Sequence, residues 1–102
     1  MKTYFKFCER PSGGWILSPV WESFCAEHQM INGSLNLVGC RVAGLSWPQW
    51  LRFCRQNGAK LCGKNKQYVI AIWQEPNKDF EKLMNDRANK LATMINIKEL
   101  HF

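Results

Sequence analysis

Cys25 and His28 are the pair of residues whose types and spacing most directly suggest chemistry. They lie one helical turn apart, so a thiolate and an imidazole could face one zinc ion. The sequence contains no Cys-x-x-Cys pair that would complete such a site, and a single Cys-x-x-His is a weak zinc signal. We therefore predict no metal and no other cofactor, and interpret Cys25 as a small core residue.

The same two side chains could also form a nucleophile with its general base. The other histidine, His101, lies in the C-terminal tail. No pattern near either histidine marks an orienting acid or an oxyanion hole. The pairs Gly13-Gly14 and Gly63-Lys64 are typical of turns and not of a phosphate-binding loop. The sequence thus predicts a protein that is not an enzyme.

Positive charge is concentrated in the middle of the sequence. The chain carries a formal net charge of +6, and residues 1–27 and 75–102 are each neutral because their acidic and basic residues cancel. No Asp or Glu lies between Glu27 and Glu75. An acid-free basic segment of this kind attracts anions, including nucleic acid. Its cations, which account for the whole net charge, are Arg41, Arg52, Arg55, Lys60, Lys64 and Lys66.

A seven-residue pattern occurs twice and organises the first three quarters of the chain. The segments 19–25 and 48–54 both read Pro-x-Trp-x-x-Phe-Cys and begin 29 residues apart. Each is preceded by Gly, Leu and Ser in that order, and each is followed by Asn-Gly. We interpret residues 14–42 and 44–73 as an internal repeat.

Each copy of the pattern predicts a helix. Trp, Phe and Cys at i, i+3 and i+4 line one face. Ser18 and Ser46 are the predicted N-caps, and proline is tolerated in the first turn. Ser46 with Gln49 fits a capping box. Gly58 suits a left-handed conformation at the C-terminal end of the second helix.

The remaining elements follow from the apolar pattern. Residues 3–9 and 35–42 predict the first two strands, and residues 59–62 and 67–73 predict a hairpin around a four-residue loop. The last of these strands is apolar on both faces, which favours a central position in the sheet. A long apolar stripe predicts a final helix over residues 77–95.

The predicted order of these elements is β-α-β-α-β-β-α. Alternation of this kind, with a hairpin and several amphipathic helices, is typical of helices packed on a mainly antiparallel sheet. We therefore expect residues 1–102 to form a single small α+β domain. The chain has no apolar run of the roughly 18 to 20 residues that would span a bilayer and no signal peptide pattern. Five cysteines without such a signal favour reduced thiols, so we expect a cytoplasmic protein with no membrane association.

The tryptophans divide into two groups by their positions. Trp21 and Trp50 occupy the repeated helices beside Phe, which predicts core packing. Trp15, Trp47 and Trp73 lie near the ends of elements, where we expect exposure. Exposed aromatic rings among cations are the surfaces on which single-stranded nucleic acid stacks. Trp47 is the candidate for such a stacking residue, because the helix that follows carries Arg52 and Arg55.

We hypothesise a non-enzymatic protein that contacts nucleic acid through the phosphate backbone. No base-reading motif is present, so we expect little sequence specificity. The basic helix and the basic hairpin after it would form one surface if they pack side by side. The predicted contact residues are Arg41, Trp47, Arg52, Arg55, Lys60, Lys64 and Lys66.

A protein-binding module remains an open alternative. Arg and Trp are enriched at binding hot spots, and a basic surface complements an acidic or nucleic-acid-binding surface of a partner protein. An inhibitor of a nuclease, encoded by a phage or mobile element, would suit this composition. DNA, RNA and protein thus all remain open as partners, as does the oligomeric state.

Overall fold

The described part of the chain consists of short strands and helices. The computed structural model describes residues 2–27, 38–63 and 69–100, with side chains described in 2–24, 38–63 and 69–93. Helices and two small antiparallel sheets form a small α+β domain, so the predicted α+β class is confirmed, whereas the described elements follow neither the predicted order nor a single sheet. The elements are β1 (Phe5–Glu9), β2 (Trp15–Pro19), α1 (Trp21–Glu27), α2 (Val38–Ala43), α3 (Trp47–Gln56), β3 (Lys60–Cys62), β4 (Ile70–Ile72) and α4 (Lys78–Leu100).

The first strand is confirmed, and it forms a hairpin with a strand that we did not predict. β1 and β2 are antiparallel, with Phe5 opposite Pro19 and Glu9 opposite Trp15. Their turn contains Gly14 at φ +78°. A side chain at Gly14 would overlap the Ile72 side chain, so this position requires glycine for both its backbone conformation and its close approach.

The repeated pattern forms a helix in both copies, but the predicted cap of the first is wrong. Ser18 lies inside β2, opposite Lys6, because β2 continues its pairing with β1 through Pro19. α1 begins only at Trp21, and the carbonyl of Val20 accepts the first hydrogen bonds of the helix. The strand pairing of Ser18 has therefore overridden its capping preference.

α3 begins and ends as predicted. Ser46 accepts a hydrogen bond from the backbone N–H of Gln49, and the Gln49 side chain accepts one from the backbone N–H of Ser46, which is a capping box. At the other end Gly58 has φ +98°. Its N–H donates to the carbonyl of Arg55, and the Ala59 N–H donates to the carbonyl of Cys54. These bonds satisfy the last carbonyls of the helix.

The predicted second strand, residues 35–42, is wrong where the structure describes it, because Val38–Ala43 form the helix α2. Residues 35–37 lie outside the described residues. Gly44, at φ +69°, ends α2 with hydrogen bonds of the same type as those at the end of α3. A Cβ at Gly39 would lie 2.5 Å from the Trp50 ring. Val38–Ala43 therefore form a helix packed against an indole and not a strand.

The second hairpin is confirmed, and its inner strand links the two sheets. β3 and β4 are antiparallel, with Lys60 opposite Ile72. Just beyond β4, Trp73 and Trp15 exchange two backbone hydrogen bonds of 2.7 and 2.8 Å. The bridge thus joins the ends of the two hairpins, but β4 belongs to a two-stranded sheet among the described residues, so the predicted central position in the sheet is not confirmed. Residues 64–68 of the connecting loop lie outside the described residues.

α4 packs its apolar stripe on the core and begins one residue later than predicted. Asn77 caps it by accepting a hydrogen bond of 3.1 Å from the Phe80 N–H. Phe80, Met84 and Ala88 are fully buried, as expected from their helical spacing. Among the helices of the described residues, none has the length and hydrophobicity that crossing a membrane would require.

A polar stripe on α4 takes the place of a neighbouring strand along β1. The Asn85 Oδ1 accepts hydrogen bonds from the backbone N–H groups of Tyr4 and Phe5 at 2.7 and 2.8 Å, and its Nδ2 donates to the carbonyl of Phe5 at 3.1 Å. One turn earlier, Glu81 accepts a bond of 3.0 Å from the Phe7 N–H. Asn89 exchanges two bonds with the backbone of Lys2. The helix thus pairs with backbone groups that an edge strand would otherwise leave open.

Candidate nucleic-acid interface

The outer face of α3 carries the clearest group of exposed cations. Arg52 and Arg55 are one turn apart and exposed, while Trp50 and Cys54 on the opposite face are buried. No hydrogen bond or ion pair holds either arginine side chain within the described residues. The neighbouring exposed side chains of the helix are the neutral Gln49 and Gln56. This face therefore presents two unpaired guanidinium groups without a nearby acid on the same helix.

Arg41 is exposed in the last turn of α2, and α2 packs against α3. The carbonyl of Ala43, at the end of the same helix, accepts a bond of 3.3 Å from Arg87. A cation at that end interacts favourably with the helix dipole. Arg41 is thus accessible to a ligand on a helix adjacent to α3.

Lys60 lies on a different side of the domain from the α3 arginines. It is opposite Ile72 in the hairpin, whereas its neighbour Leu61 is opposite Ala71. Ala71 packs against the core, where Trp50 of α3 also lies. Because side chains alternate along a strand, Lys60 projects from the face of the hairpin that is turned away from α3. The structure therefore brings Arg52 and Arg55 together and separates Lys60 from them.

Arg10 is a cation that the sequence reasoning left out, because it belongs to the neutral N-terminal segment. It lines a shallow groove of about 310 Å³ together with Lys60, at the place where the two hairpins meet. Gly13 and Gly14 form part of the same groove. The position of Arg10 immediately before the Pro11–Gly14 turn is the signal that could have indicated an exposed cation at a hairpin tip.

Other predicted site residues fall outside the described part of the chain. Lys64 and Lys66 lie in the loop 64–68, and the proposed zinc pair involves His28 and the side chain of Cys25. Within the described residues, no group of three or more His, Cys, Asp or Glu side chains could hold a metal ion.

The tryptophans do not form an exposed stacking surface in the described part of the chain. Trp50 is buried, as predicted, but Trp73 is only 3% exposed, so the expected exposure of Trp73 is wrong. Its ring is enclosed because the bridge to Trp15 turns it toward α4. Trp15 and Trp47 are partly buried and pack against the core. The only large apolar side chain exposed among the described residues is Leu83.

The function of this chain has to be inferred from the chemistry of its surface. No family model, curated protein or solved structure matches it. The exposed arginines of α3 are therefore the observation on which a proposed function depends.

The four described cysteines form no disulfide among the described residues. Cys8 is exposed, Cys62 is partly buried, and Cys40 and Cys54 are buried. Burial raises the pKa of the Cys54 thiol from 9.0 to about 12, and the neighbouring Cys40 adds to the shift. A thiolate at Cys54 would lose its hydration in the core, so Cys54 is a structural residue and not a nucleophile at neutral pH.

The raised pKa of Cys54 predicts a loss of stability at high pH. The thiol in the unfolded chain ionises above its pKa of 9.0, whereas the folded protein retains the proton until the pH approaches about 12. The contribution of the Cys54 thiol to the free energy of unfolding is therefore intact below pH 9 and is lost as the pH rises toward 12. We expect the free energy of unfolding to fall by about 2 kcal/mol between about pH 9 and pH 10.5 through this group.

Urea unfolding at several pH values measures this loss. The Cys54→Ala variant is the control, because it keeps every other titrating group and should lose stability less steeply with pH. Equal pH dependence in the two proteins would contradict the assignment.

Proposed function

We propose that this protein is a non-enzymatic binder of double-stranded nucleic acid that contacts the phosphate backbone through α3. The supporting observation is the pair of exposed arginines, Arg52 and Arg55, which have no partner among the described residues and lie on a helix face without acidic residues. A guanidinium group donates parallel hydrogen bonds that match the oxygens of a phosphate. An α-helix also fits the width of a duplex major groove.

The described surface favours a duplex over a single strand. Binding of single strands relies on aromatic side chains that stack on unpaired bases. Within the described residues no tryptophan is exposed, and Trp47 is partly buried against the core. Phosphate contacts alone require no unstacked bases, so they suit a duplex of any sequence.

The other predicted cations extend the proposed contact. Arg41 on the adjacent helix joins the α3 arginines, whereas Lys60 projects from the other face of the hairpin and Lys64 and Lys66 lie outside the described residues. Contacts by the three arginines alone predict a log-log salt slope of about −3, and contacts by all six cations predict about −5. The measured slope therefore tells how far the interface extends.

The internal repeat remains part of the proposal, with the binding function assigned to its second copy. At the position of Arg52 the first copy has Ser23, which is buried and donates a hydrogen bond of 2.8 Å to the carbonyl of Thr3. At the position of Arg55 it has Ala26. The residue of α1 that corresponds to Arg52 is thus buried, which supports assigning the contact to α3.

Fluorescence anisotropy of a labelled duplex, between about 50 and 200 mM salt, tests the proposal. We expect affinity to fall steeply with salt, and the double variant Arg52→Gln/Arg55→Gln to lower the slope by about 2. The double variant Lys78→Gln/Lys82→Gln removes the same charge from exposed positions of α4 and should leave the slope unchanged. Absence of salt-sensitive binding, or equal effects of both variants, would contradict the proposal.

A protein partner is the second candidate, because few cations share one face. Duplex-binding proteins often contact 6 to 10 phosphates, and the outer face of α3 carries only Arg52 and Arg55. An acidic or nucleic-acid-binding surface of a nuclease would require fewer contacts. The discriminating result is a partner that a tagged protein retains after nuclease treatment and loses in the Arg52→Gln/Arg55→Gln variant. We propose a cytoplasmic location for either function, since the described cysteines form no disulfide among the described residues.

A further inference from the structure

A cavity of about 350 Å³ extends from the surface into the core between β2, β4 and the helices α2 and α3. Its walls include the rings of Trp47, Trp50 and Trp73. Trp50 and Trp73 are buried, whereas Trp47 is partly exposed. The cavity therefore reaches from partly exposed side chains down to the interior of the domain.

The cavity has the properties of a small-molecule site. Its volume lies in the range of ligand pockets, roughly 300 to 1,000 Å³, which are lined by apolar and aromatic side chains with few polar groups. Protein interiors are otherwise close-packed, with few voids larger than a water molecule. Apolar cavities remain dry and accept apolar ligands. An apolar molecule would thus restore packing that the core lacks here.

The polar residues that line the cavity indicate the charge that a ligand would carry. Apart from tryptophan and cysteine, the lining residues with polar side chains are Ser18 and Arg10. Arg10 is partly exposed and also lines the groove beside Lys60, so it lies where the cavity meets the surface. No acidic side chain is among the described residues that line the cavity. The mouth is therefore positive and the interior apolar.

We propose that this cavity binds a small aromatic or apolar anion, with its ring system between the tryptophans and its negative group at Arg10. A carboxylate or sulfonate at the mouth would accept hydrogen bonds from the guanidinium group. This site does not include Arg52 or Arg55, so the proposal is independent of nucleic-acid binding.

A pair of fluorescent probes tests both parts of the proposal. The first is 1-anilinonaphthalene-8-sulfonate, and the second is N-phenyl-1-naphthylamine, the same molecule without its sulfonate. We expect both to bind the native protein at one site, with energy transfer from tryptophan. Arg10→Gln should weaken binding of the sulfonate about tenfold and leave the neutral probe nearly unchanged, because only the sulfonate makes a charge-assisted contact.

The control for charge is Lys6→Gln, which removes an exposed cation of β1 that does not line the cavity. It should not change the affinity of either probe. Ala71→Leu places additional carbon atoms in the cavity wall and should weaken both probes. If that variant does not fold, the comparison of Arg10→Gln with Lys6→Gln still decides the question. Absence of one-site binding, or equal effects of these two variants on the sulfonate, would overturn the proposal.

Discussion

Replacing Trp73 by alanine should lower the free energy of unfolding by about 3 to 5 kcal/mol. The side chain is 3% exposed, and its ring centroid lies 5.0 Å from that of Phe7 and 5.5 Å from that of Phe80. Its Nε1 donates a hydrogen bond of 2.8 Å to the carbonyl of Asn57. Alanine would remove contacts between the sheets, α3 and α4 together. Because small domains have only about 5 to 15 kcal/mol of stability, urea unfolding should detect the loss readily.

Two variants test whether the effect comes from this position. Trp73→Phe keeps a ring in the core and removes one donor, so we expect a loss of about 1 kcal/mol. The Asn57 carbonyl retains a second bond of 2.8 Å from the Asn77 side chain, which limits that cost. Leu83→Ala truncates an exposed side chain and should cost less than about 1 kcal/mol. A Trp73→Ala variant as stable as Leu83→Ala would contradict the described core.

The second large effect is expected at Asn85, whose replacement by leucine should cost about 3 kcal/mol. Leucine has a similar size but cannot accept the bonds from the N–H groups of Tyr4 and Phe5 or donate to the Phe5 carbonyl. Both residues are at most 2% exposed, so their backbone groups would lose these bonds in a largely buried setting. Thermal and urea unfolding measure the loss.

Asn85→Asp is the matched control for this prediction. A carboxylate can still accept hydrogen bonds from both N–H groups, but it cannot donate to the carbonyls of Phe5 and Glu81, which the Nδ2 contacts at 3.1 and 3.0 Å. We therefore expect Asn85→Asp to be less stable than the wild type and more stable than Asn85→Leu. Asn89→Ala acts at the exposed end of the same stripe and should cost less than Asn85→Leu. Equal stability of Asn85→Leu and wild type would show that α4 does not pair with β1.

The two proposed sites depend on different charged residues, and this separation makes them independently testable. The nucleic-acid proposal depends on Arg52 and Arg55 of α3, whereas the cavity proposal depends on Arg10 of the first hairpin. Arg52→Gln/Arg55→Gln should leave probe binding intact, and Arg10→Gln should leave the salt slope nearly unchanged. Each variant is therefore a folded control for the other experiment.

Local patterns predicted the features that depend on a few adjacent residues. The capping box of Ser46 and Gln49 and the left-handed Gly58 are examples, since both ends of α3 are decided by hydrogen bonds within about one turn. β1 and α4 follow from alternation and helical spacing. The exposure of Arg52 and Arg55 could also be predicted, because they lie opposite Trp50 on the same helix.

The tertiary structure decided what depends on partners distant in the chain. Ser18 could cap a helix, but pairing with β1 places it in a strand. Trp73 lies at the end of an element, yet its backbone pairs with Trp15 and its ring is buried. Lys60 follows α3 closely in sequence, but strand alternation turns it toward Arg10, 50 residues earlier. The sequence alone therefore determined the acid-free basic segment and the faces of α3. Only the packing of the two hairpins decided which cations share a surface, because that depends on backbone pairing between segments that local patterns do not relate.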